Sequence, residues 1–469
     1  MTAEQRTSLS IGMIHFKTGD TDGVSLEMDK WRDVLRSEGH AVHYCCGQRP
    51  LHDDGQCTIL PSLSYFREEI RALDKGTFDS LEAFGSESAY EEALTLEVRD
   101  LSRELLAWID SVSLDVLIVE NIWSVGLHPA AAIALDHVVQ ARKLPVLAHH
   151  HDFYWERVNP IRLTCNQAMQ VADCYMPPHT QGYSHVVINS KAQKALWERK
   201  GISATIIPNV FDFSEGPWER DAYNRDFRET FGIKDDDVFL LQATRVVRRK
   251  AIELAIDFAW MLAQSLERYR GKTLYNGKCY SEKSRVVLVL AGSIEHDGGA
   301  YLTQLQEKAD RLHVPMVWIG AQIGHTRTID EKNGKKIYSL WDAYVHADVV
   351  TYPSYWEGWG NQLLEAVRAK LPIILFPYEI YSNDIKKAGF SMIELGKRES
   401  LYWDEQGFAQ LPPAQIKQAA RAACAVLFDR QVRSNMVESN FKIGRNAFSL
   451  DTLRTLLTPY LTTWSNTLW

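Results

Sequence analysis

Two glutamates, Glu357 and Glu365, are separated by seven residues in the stretch Ser354-Tyr-Trp-Glu357-Gly358-Trp-Gly360-Asn361-Gln362-Leu-Leu-Glu365-Ala-Val. A Gly-Trp-Gly turn between them leads into a helix-like run. One carboxylate therefore precedes a helix N-terminus and the other lies inside its first turns. Fully helical spacing would set them ~12 Å apart at ~1.5 Å per residue. Carboxylates grip hydroxyls through charge-assisted hydrogen bonds. Between them, first-turn N–H groups near Gly358, Asn361 and Gln362 make an anion site suited to a diphosphate. The pattern fits a ligand with hydroxyls at both ends and a diphosphate between. Taken alone, a Glu pair at a helix is also an ordinary solvated feature, so the rest of the chain decides.

A second set of charges follows an apolar strand. In Phe239-Leu-Leu-Gln-Ala-Thr-Arg245-Val-Val-Arg-Arg-Lys250-Ala-Ile-Glu, Arg245 and Lys250 stand on a loop entering a helix. Two cations there can neutralise a diphosphate leaving group as its charge develops. Arg248 and Arg249 read as a solvated loop face. A third cluster, His149-His150-His151-Asp152, closes the strand from Pro145 to Ala148. Three adjacent histidines suggest a metal, but neighbours on a strand alternate faces, so all three cannot easily ligate one ion. No metal is expected.

The elements that position these residues alternate along the chain. Strands at Leu9–Phe16 and Ala41–Cys46 flank a helix at Leu26–Ser37 that Ser25 can cap. Residues 62–111 are polar and mostly helical. Strands follow at 112–120, 145–150 and 186–189. Pro, Gly and Asn cluster near Pro208–Trp218, where the domain boundary is expected. The alternation then repeats, with strands at 238–243, 285–291, 316–319, 348–352 and 372–376. Polar segments at 271–284 and 324–336 read as exposed loops. Alternating strands and helices, twice over, predict two parallel-sheet α/β domains. The expected limits are 1–212, 213–445 and an amphipathic terminal helix in 446–469.

Composition excludes several classes. The chain has 469 residues, 45% hydrophobic and 24% charged, with a net charge of -8. That balance argues against a nucleic-acid binder and gives no help towards anionic membranes. No apolar run reaches the roughly 18 residues of a spanning helix. Seven cysteines without a Cys-x-x-Cys pair suit a reducing compartment, with the cytoplasm as default.

The motifs resemble those of retaining GT-B glycosyltransferases of the large E-x7-E class. The E-x7-E stretch carries the likeness first. Ile206-Ile-Pro208-Asn209-Val-Phe-Asp212, the Arg245 to Lys250 segment, Val287-Leu-Val-Leu-Ala-Gly292 and Tyr344-Val-His-Ala347-Asp348-Val-Val-Thr-Tyr-Pro353-Ser354 follow the family's order. The resemblance implies two Rossmann-like domains facing across a cleft. The second would bind a nucleotide-sugar, such as UDP-glucose or GDP-mannose, and the first an acceptor. The last helix would cross back to the first domain. No cofactor beyond the co-substrate is implied.

By the same resemblance, Arg245 and Lys250 hold the donor phosphates, Glu365 the ribose and Glu357 the transferred sugar. Asn361 is a further candidate for the sugar. His151 matches the histidine that contacts the donor sugar; His149 and His150 read as structural. Gly23 stands in the loop that approaches the diphosphate. Asp20, Asp22, Asp152 and Arg157 are acceptor candidates, and Trp123, Tyr154 and Trp155 are aromatics for stacking or packing. Ala251 departs from the family's usual Gly.

The expected activity is hexosyl transfer, glucose or mannose, to a hydroxyl of a soluble small molecule or sugar, with retention and without a metal. A lipid head-group acceptor, a phosphorylase- or epimerase-like enzyme of the same fold, and a non-catalytic sugar-nucleotide binder are the alternatives. The mixed charge of the first helix disfavours the lipid acceptor. Thermal melts with UDP-, GDP- and ADP-sugars test the donor half. A ligand at ~100 times its dissociation constant should stabilise by ~2.7 kcal/mol, with one nucleotide class responding and Glu365→Ala abolishing the response.

Overall fold

A computed structural model describes residues 8–19, 22–48, 56–157, 161–295 and 298–467. It divides into two compact units, Met1–Val210 with Leu450–Trp469, and Phe211–Ser449.

Unit 1 is built on short apolar strands that alternate with helices. They are β1 (Ser10–Ile14), β2 (Ala41–Cys46), β3 (Cys57–Ile59), β4 (Val116–Glu120), β5 (Val146–His150), β6 (Tyr183–Val187) and β7 (Thr205–Ile206). All pair in parallel, in the order β3-β2-β1-β4-β5-β6-β7. Every residue of β4 and β5 is buried. That explains their continuous apolar runs, since a parallel sheet is covered on both faces. On one face, Met28, Trp31 and Leu35 pack with Leu453, Leu457 and Trp464 of the last helix. On the other, Leu101, Leu105 and Trp108 pack with Ala131, Leu135 and Val138.

Two expectations are corrected here. The first helix runs Gly23–Ser37 and its cap is Asp22, not Ser25. The Asp22 carboxylate accepts from the N–H of Val24 and Ser25 at 3.1 and 3.3 Å. An ionised Asp is the stronger acceptor for orphan N–H groups. The fourth strand begins at Val116 rather than 112, because the preceding helix continues to Val112 and stops at Ser113 with φ 50°.

Unit 2 repeats the plan with β8 (Val238–Gln242), β9 (Val286–Leu290), β10 (Met316–Trp318), β14 (Val349–Tyr352), β15 (Ile373–Leu375) and β16 (Ile393–Glu394). Its parallel order is β10-β9-β8-β14-β15-β16. The segment read as a loop at 324–336 instead contributes to a small sheet of β11 (Ile323–Gly324), β12 (Thr328–Ile329) and β13 (Lys336–Ser339). Distant partners stabilise it. The Tyr223 hydroxyl lies 2.7 Å from the Thr328 carbonyl and 2.8 Å from that of Ile337, and Lys336 pairs with Asp226 at 2.6 Å. A helix at Arg430–Ala447 also forms where no element was read.

In both sheets the chain winds outward from a central strand, then returns to that strand's other side. The switch points lie at β1/β4 and β8/β14. Ligands of open α/β sheets bind beyond the carboxyl ends of strands at such points. Asp348, at the start of β14, holds that strand in place. It accepts from Arg228 Nη2 at 3.0 Å, from the Phe239 N–H at 2.8 Å and from the Tyr275 hydroxyl at 2.8 Å. Arg228 also donates to the carbonyls of Lys234, Asp237 and His346. Removing one partner of a buried pair strands the other charge. Asp348→Ala should therefore cost about 3–5 kcal/mol in urea unfolding, as expected for a broken buried ion pair.

Candidate active site

Unit 2 gathers its charges at the β8/β14 switch point. After β8 the chain turns through Arg248–Lys250 into the helix Ile252–Leu266. After β14 it runs through Ser354–Gly360 into the helix Asn361–Arg368. The Tyr355 N–H donates to the Arg249 carbonyl at 3.1 Å, which ties the two loops together. Lys250 Nζ donates to Glu357 Oε1 in a buried contact. Arg249 Nη1 donates to Glu357 Oε2 at 2.9 Å and to the Trp356 carbonyl at 3.2 Å. Its guanidinium lies over the Trp356 ring. Burial alone would raise the Glu357 pKa; Lys250 and Arg249 outweigh it and hold the acid at about 2. Glu357 is thus an ionised carboxylate with both oxygens engaged by cations.

Arg249, read from sequence as solvated, is part of this cluster. No spacing rule separates it from Arg248, which reaches outward to Gln304 and lies over Tyr301. Arg245 is half exposed and paired with Glu295, yet its positive field reaches Lys250. Ala251 takes φ 46°, the left-handed region where the family's Gly is unstrained.

The helix Asn361–Arg368 opens at Gly360, whose φ is 130°. A Cβ at Gly360 would collide with the Tyr378 hydroxyl. The glycine therefore lets the chain turn sharply between Glu357 and the first helical turn at Asn361 and Gln362. Glu365 lies on the buried side of that helix, and its Oε2 accepts from the Tyr344 hydroxyl at 2.8 Å. Both glutamates of the E-x7-E pair are buried, at 8% and 7% exposure, which sets aside the solvated reading.

Unit 1 gathers a different set at the carboxyl ends of β1, β4 and β5. Glu120 ends β4 and pairs in register with His149 of β5. Glu120 Oε2 lies 3.0 Å from His149 Nδ1 and 3.3 Å from His151 Nε2. The argument from alternating faces holds for His150, which turns away to His185 at 3.0 Å. By the same alternation His149 and His151, two residues apart, lie on one side. Their ring nitrogens and a Glu120 oxygen lie within 4.8 Å of one another, close enough to surround a cation. Sequence reading missed Glu120; the available signal was a charged residue closing an otherwise apolar strand at the switch point.

The remaining unit 1 candidates are not brought to this cluster as free groups. Asp22 caps its helix and pairs with Lys17 at 3.2 Å. Gly23 is that helix's first residue. Arg157 donates to Asp74 Oδ1 at 2.9 Å and to the Val125 carbonyl at 3.2 Å, with its guanidinium over Phe78. The Asp152 N–H donates to Asn121 Oδ1 at 3.1 Å. Asp20 lies outside the described residues. Trp123 is core, donating to the Ala132 carbonyl at 2.9 Å, and Trp155 stacks on Phe153.

Comparisons with known proteins fit this geometry. Residues 224–438 match the family of glycosyl transferases group 1. The chain is 36% identical over 442 residues to the mannosylglucosylglycerate synthase of Petrotoga mobilis, covering 94% of this chain and 99% of the relative. It is 35% identical over 449 residues to that of Thermotoga maritima, covering 96% and 99%. Its fold resembles sucrose-phosphate synthase of Thermosynechococcus elongatus, with a TM-score of 0.61 at 13% identity over 97% and 98% of the two chains. The protein belongs to the group 1 glycosyl transferases, and its two parallel sheets are those of the GT-B fold. No helix among the described residues is long and apolar enough to cross a membrane.

Glu357→Gln would leave Lys250 and Arg249 without their counter-charge. The variant should lose about 3 kcal/mol at neutral pH in chemical denaturation. Because the folded pKa is depressed to about 2, the wild-type advantage should be complete above the ordinary value of 4.5. It should shrink as pH falls from there towards 2.

Proposed function

We propose that this protein is a retaining hexosyltransferase that moves a sugar from a nucleotide-sugar to a hydroxyl of a small soluble acceptor. The observation that carries this reading is the Lys250–Arg249–Glu357 cluster at the β8/β14 switch point, beside the helix that begins at Asn361. Cations on a loop that meets the one leading into a helix N-terminus suit a diphosphate leaving group. Glu365 is the ribose-binding carboxylate in this reading, and Glu357 lies by the transferred sugar.

Two relatives matched over nearly their whole length are named mannosylglucosylglycerate synthases. We carry their product to this chain, with a nucleotide-mannose donor and a glucosylglycerate acceptor. The sugar C1–O bond to the diphosphate breaks, and a C1–O bond to the acceptor forms on the same face. The acceptor's proton passes to a diphosphate oxygen. Arg245, Lys250 and the helix N-terminus offset the charge that develops there, so this step needs no metal. Glu357, ionised and held by two cations, acts as a fixed acceptor of hydroxyl hydrogen bonds rather than as a nucleophile. We place the reaction in the cytoplasm, in keeping with the cysteines, which are free thiols.

The test is turnover of GDP-, UDP- and ADP-sugars with glucosylglycerate, with the product's anomeric configuration read by NMR. One donor class should give product with the donor's configuration kept. Lys250→Ala should lower kcat by roughly 100- to 1,000-fold, as for loss of one group that stabilises transition-state charge. A folded protein that binds a nucleotide-sugar but turns none over would sink the enzyme reading in favour of a binding protein.

A further inference from the structure

The β4–β5 end of unit 1 carries three metal-ligating side chains that the reaction above does not use. Glu120 closes β4, and His149 stands opposite it in register on β5. Glu120, His149 and His151 are buried, at 0%, 1% and 6% exposure. Glu120 Oε2 lies 3.0 Å from His149 Nδ1 and 3.3 Å from His151 Nε2, and one atom of each residue lies within 4.8 Å of the other two. Hydrogen bonds do not account for this convergence. Among the described residues, Glu120 Oε1 and both ring nitrogens of His149 have no hydrogen-bond partner. His149 Nδ1 is close to the carboxylate but out of line with it, so the pair is two lone-pair atoms side by side rather than an N–H aimed at an oxygen. Buried polar atoms left this way cost free energy. A proton added to either ring would balance the charge but give Glu120 Oε1 no donor.

We propose that Glu120, His149 and His151 form a binding site for one divalent transition cation, with zinc the best-matched ion. Two imidazoles and one carboxylate suit zinc and its neighbours, whereas magnesium and calcium prefer all-oxygen shells. The spacing fits as well. Ligand atoms ~2.0–2.2 Å from a tetrahedral zinc lie roughly 3.3–3.6 Å apart, and the separations here, 3.0 and 3.3 Å, are close to that edge. The ion supplies the counter-charge that a buried carboxylate requires. The ligands are also held from behind. Asn121 Oδ1 accepts from the N–H of His151 at 3.0 Å and of Asp152 at 3.1 Å, and the Asn121 N–H donates to the His149 carbonyl at 2.8 Å. The Trp31 ring stacks on His149 with centroids 4.4 Å apart, and His15 Nδ1 lies 2.8 Å from the Glu120 carbonyl. Contacts of this kind orient metal ligands. Three adjacent histidines cannot share one ion; the middle one, His150, faces His185, and Glu120 takes its place. Three protein ligands leave a fourth position open. The diphosphate step proposed above draws on unit 2 cations, so this ion has a different part: it ties the ends of β4 and β5 together and fixes His151 through Nε2.

The experiment is zinc binding to chelator-stripped full-length protein, by equilibrium dialysis with elemental analysis, followed by cobalt substitution. One zinc per chain should bind. The cobalt form should show the visible bands of a four- or five-coordinate site with no thiolate charge-transfer band, which separates this site from the free cysteines. Asn121→Ala should weaken binding by about 10- to 100-fold, the range for a group that supports a ligand, and His149→Ala and Glu120→Gln by more than about 100-fold. His150→Ala, whose ring faces His185, should keep the ion. A wild type that holds no equivalent of zinc, cobalt, nickel, manganese or ferrous iron overturns the proposal, whether or not any variant folds. So does undiminished binding in a folded His149→Ala, or a thiolate band in the cobalt form. None of these readouts uses turnover, so a missing transferase activity would strike the function proposed above and leave the cation site standing.

Discussion

Burying a carboxylate where a sheet ends is the constraint around which both units are arranged. In unit 2, Glu357 lies at the carboxyl end of β14 with almost no access to water. Such a charge is tolerated only with close partners. The neighbouring strand supplies them, because β8 and β14 pair directly and their following loops meet. Lys250 and Arg249 come from one loop and Glu357 from the other. Once that contact is made, the turn at Gly360 and the start of the next helix have little freedom.

Unit 1 solves the same problem with different chemistry. Glu120 is as deeply buried, but the partners are imidazoles from β5 rather than lysine and arginine. An imidazole carries a charge only if it keeps a proton, so the charge balance of this cluster depends on the protons its rings hold. Asn121 adds direction, because one amide oxygen holds two successive N–H groups beyond the strand end. Rigid strand ends aim the side chains, and the loops beyond them carry the variable contacts.

Legibility in the sequence followed the range of the physics. Alternating apolar strands and helices are local signals, and both parallel sheets could be read from them. The placement of Glu357 before a helix and Glu365 within it also came from local spacing, and the helix begins at Asn361 as read. Errors arose where distant groups intervened. The 324–336 segment is too polar to signal strands, and Tyr223 and Lys336 supply the bonds that order it. Two acceptor candidates also have partners that the sequence did not show: Asp22 caps its own helix, and Arg157 donates to Asp74, 83 residues away.

What the sequence by itself determined is the α/β class, the order of the strands along the chain, the family and the residue types at each strand end. Periodicity and short motifs carry those facts, and both are properties of neighbouring residues. Only the tertiary structure decided which charges face one another. It joined Arg249 rather than Arg248 to Glu357, and Glu120 to His149 and His151. Strand register and parallel pairing bring together groups tens to more than a hundred residues apart. The cost of leaving a buried charge unpaired then selects the partner that geometry can reach.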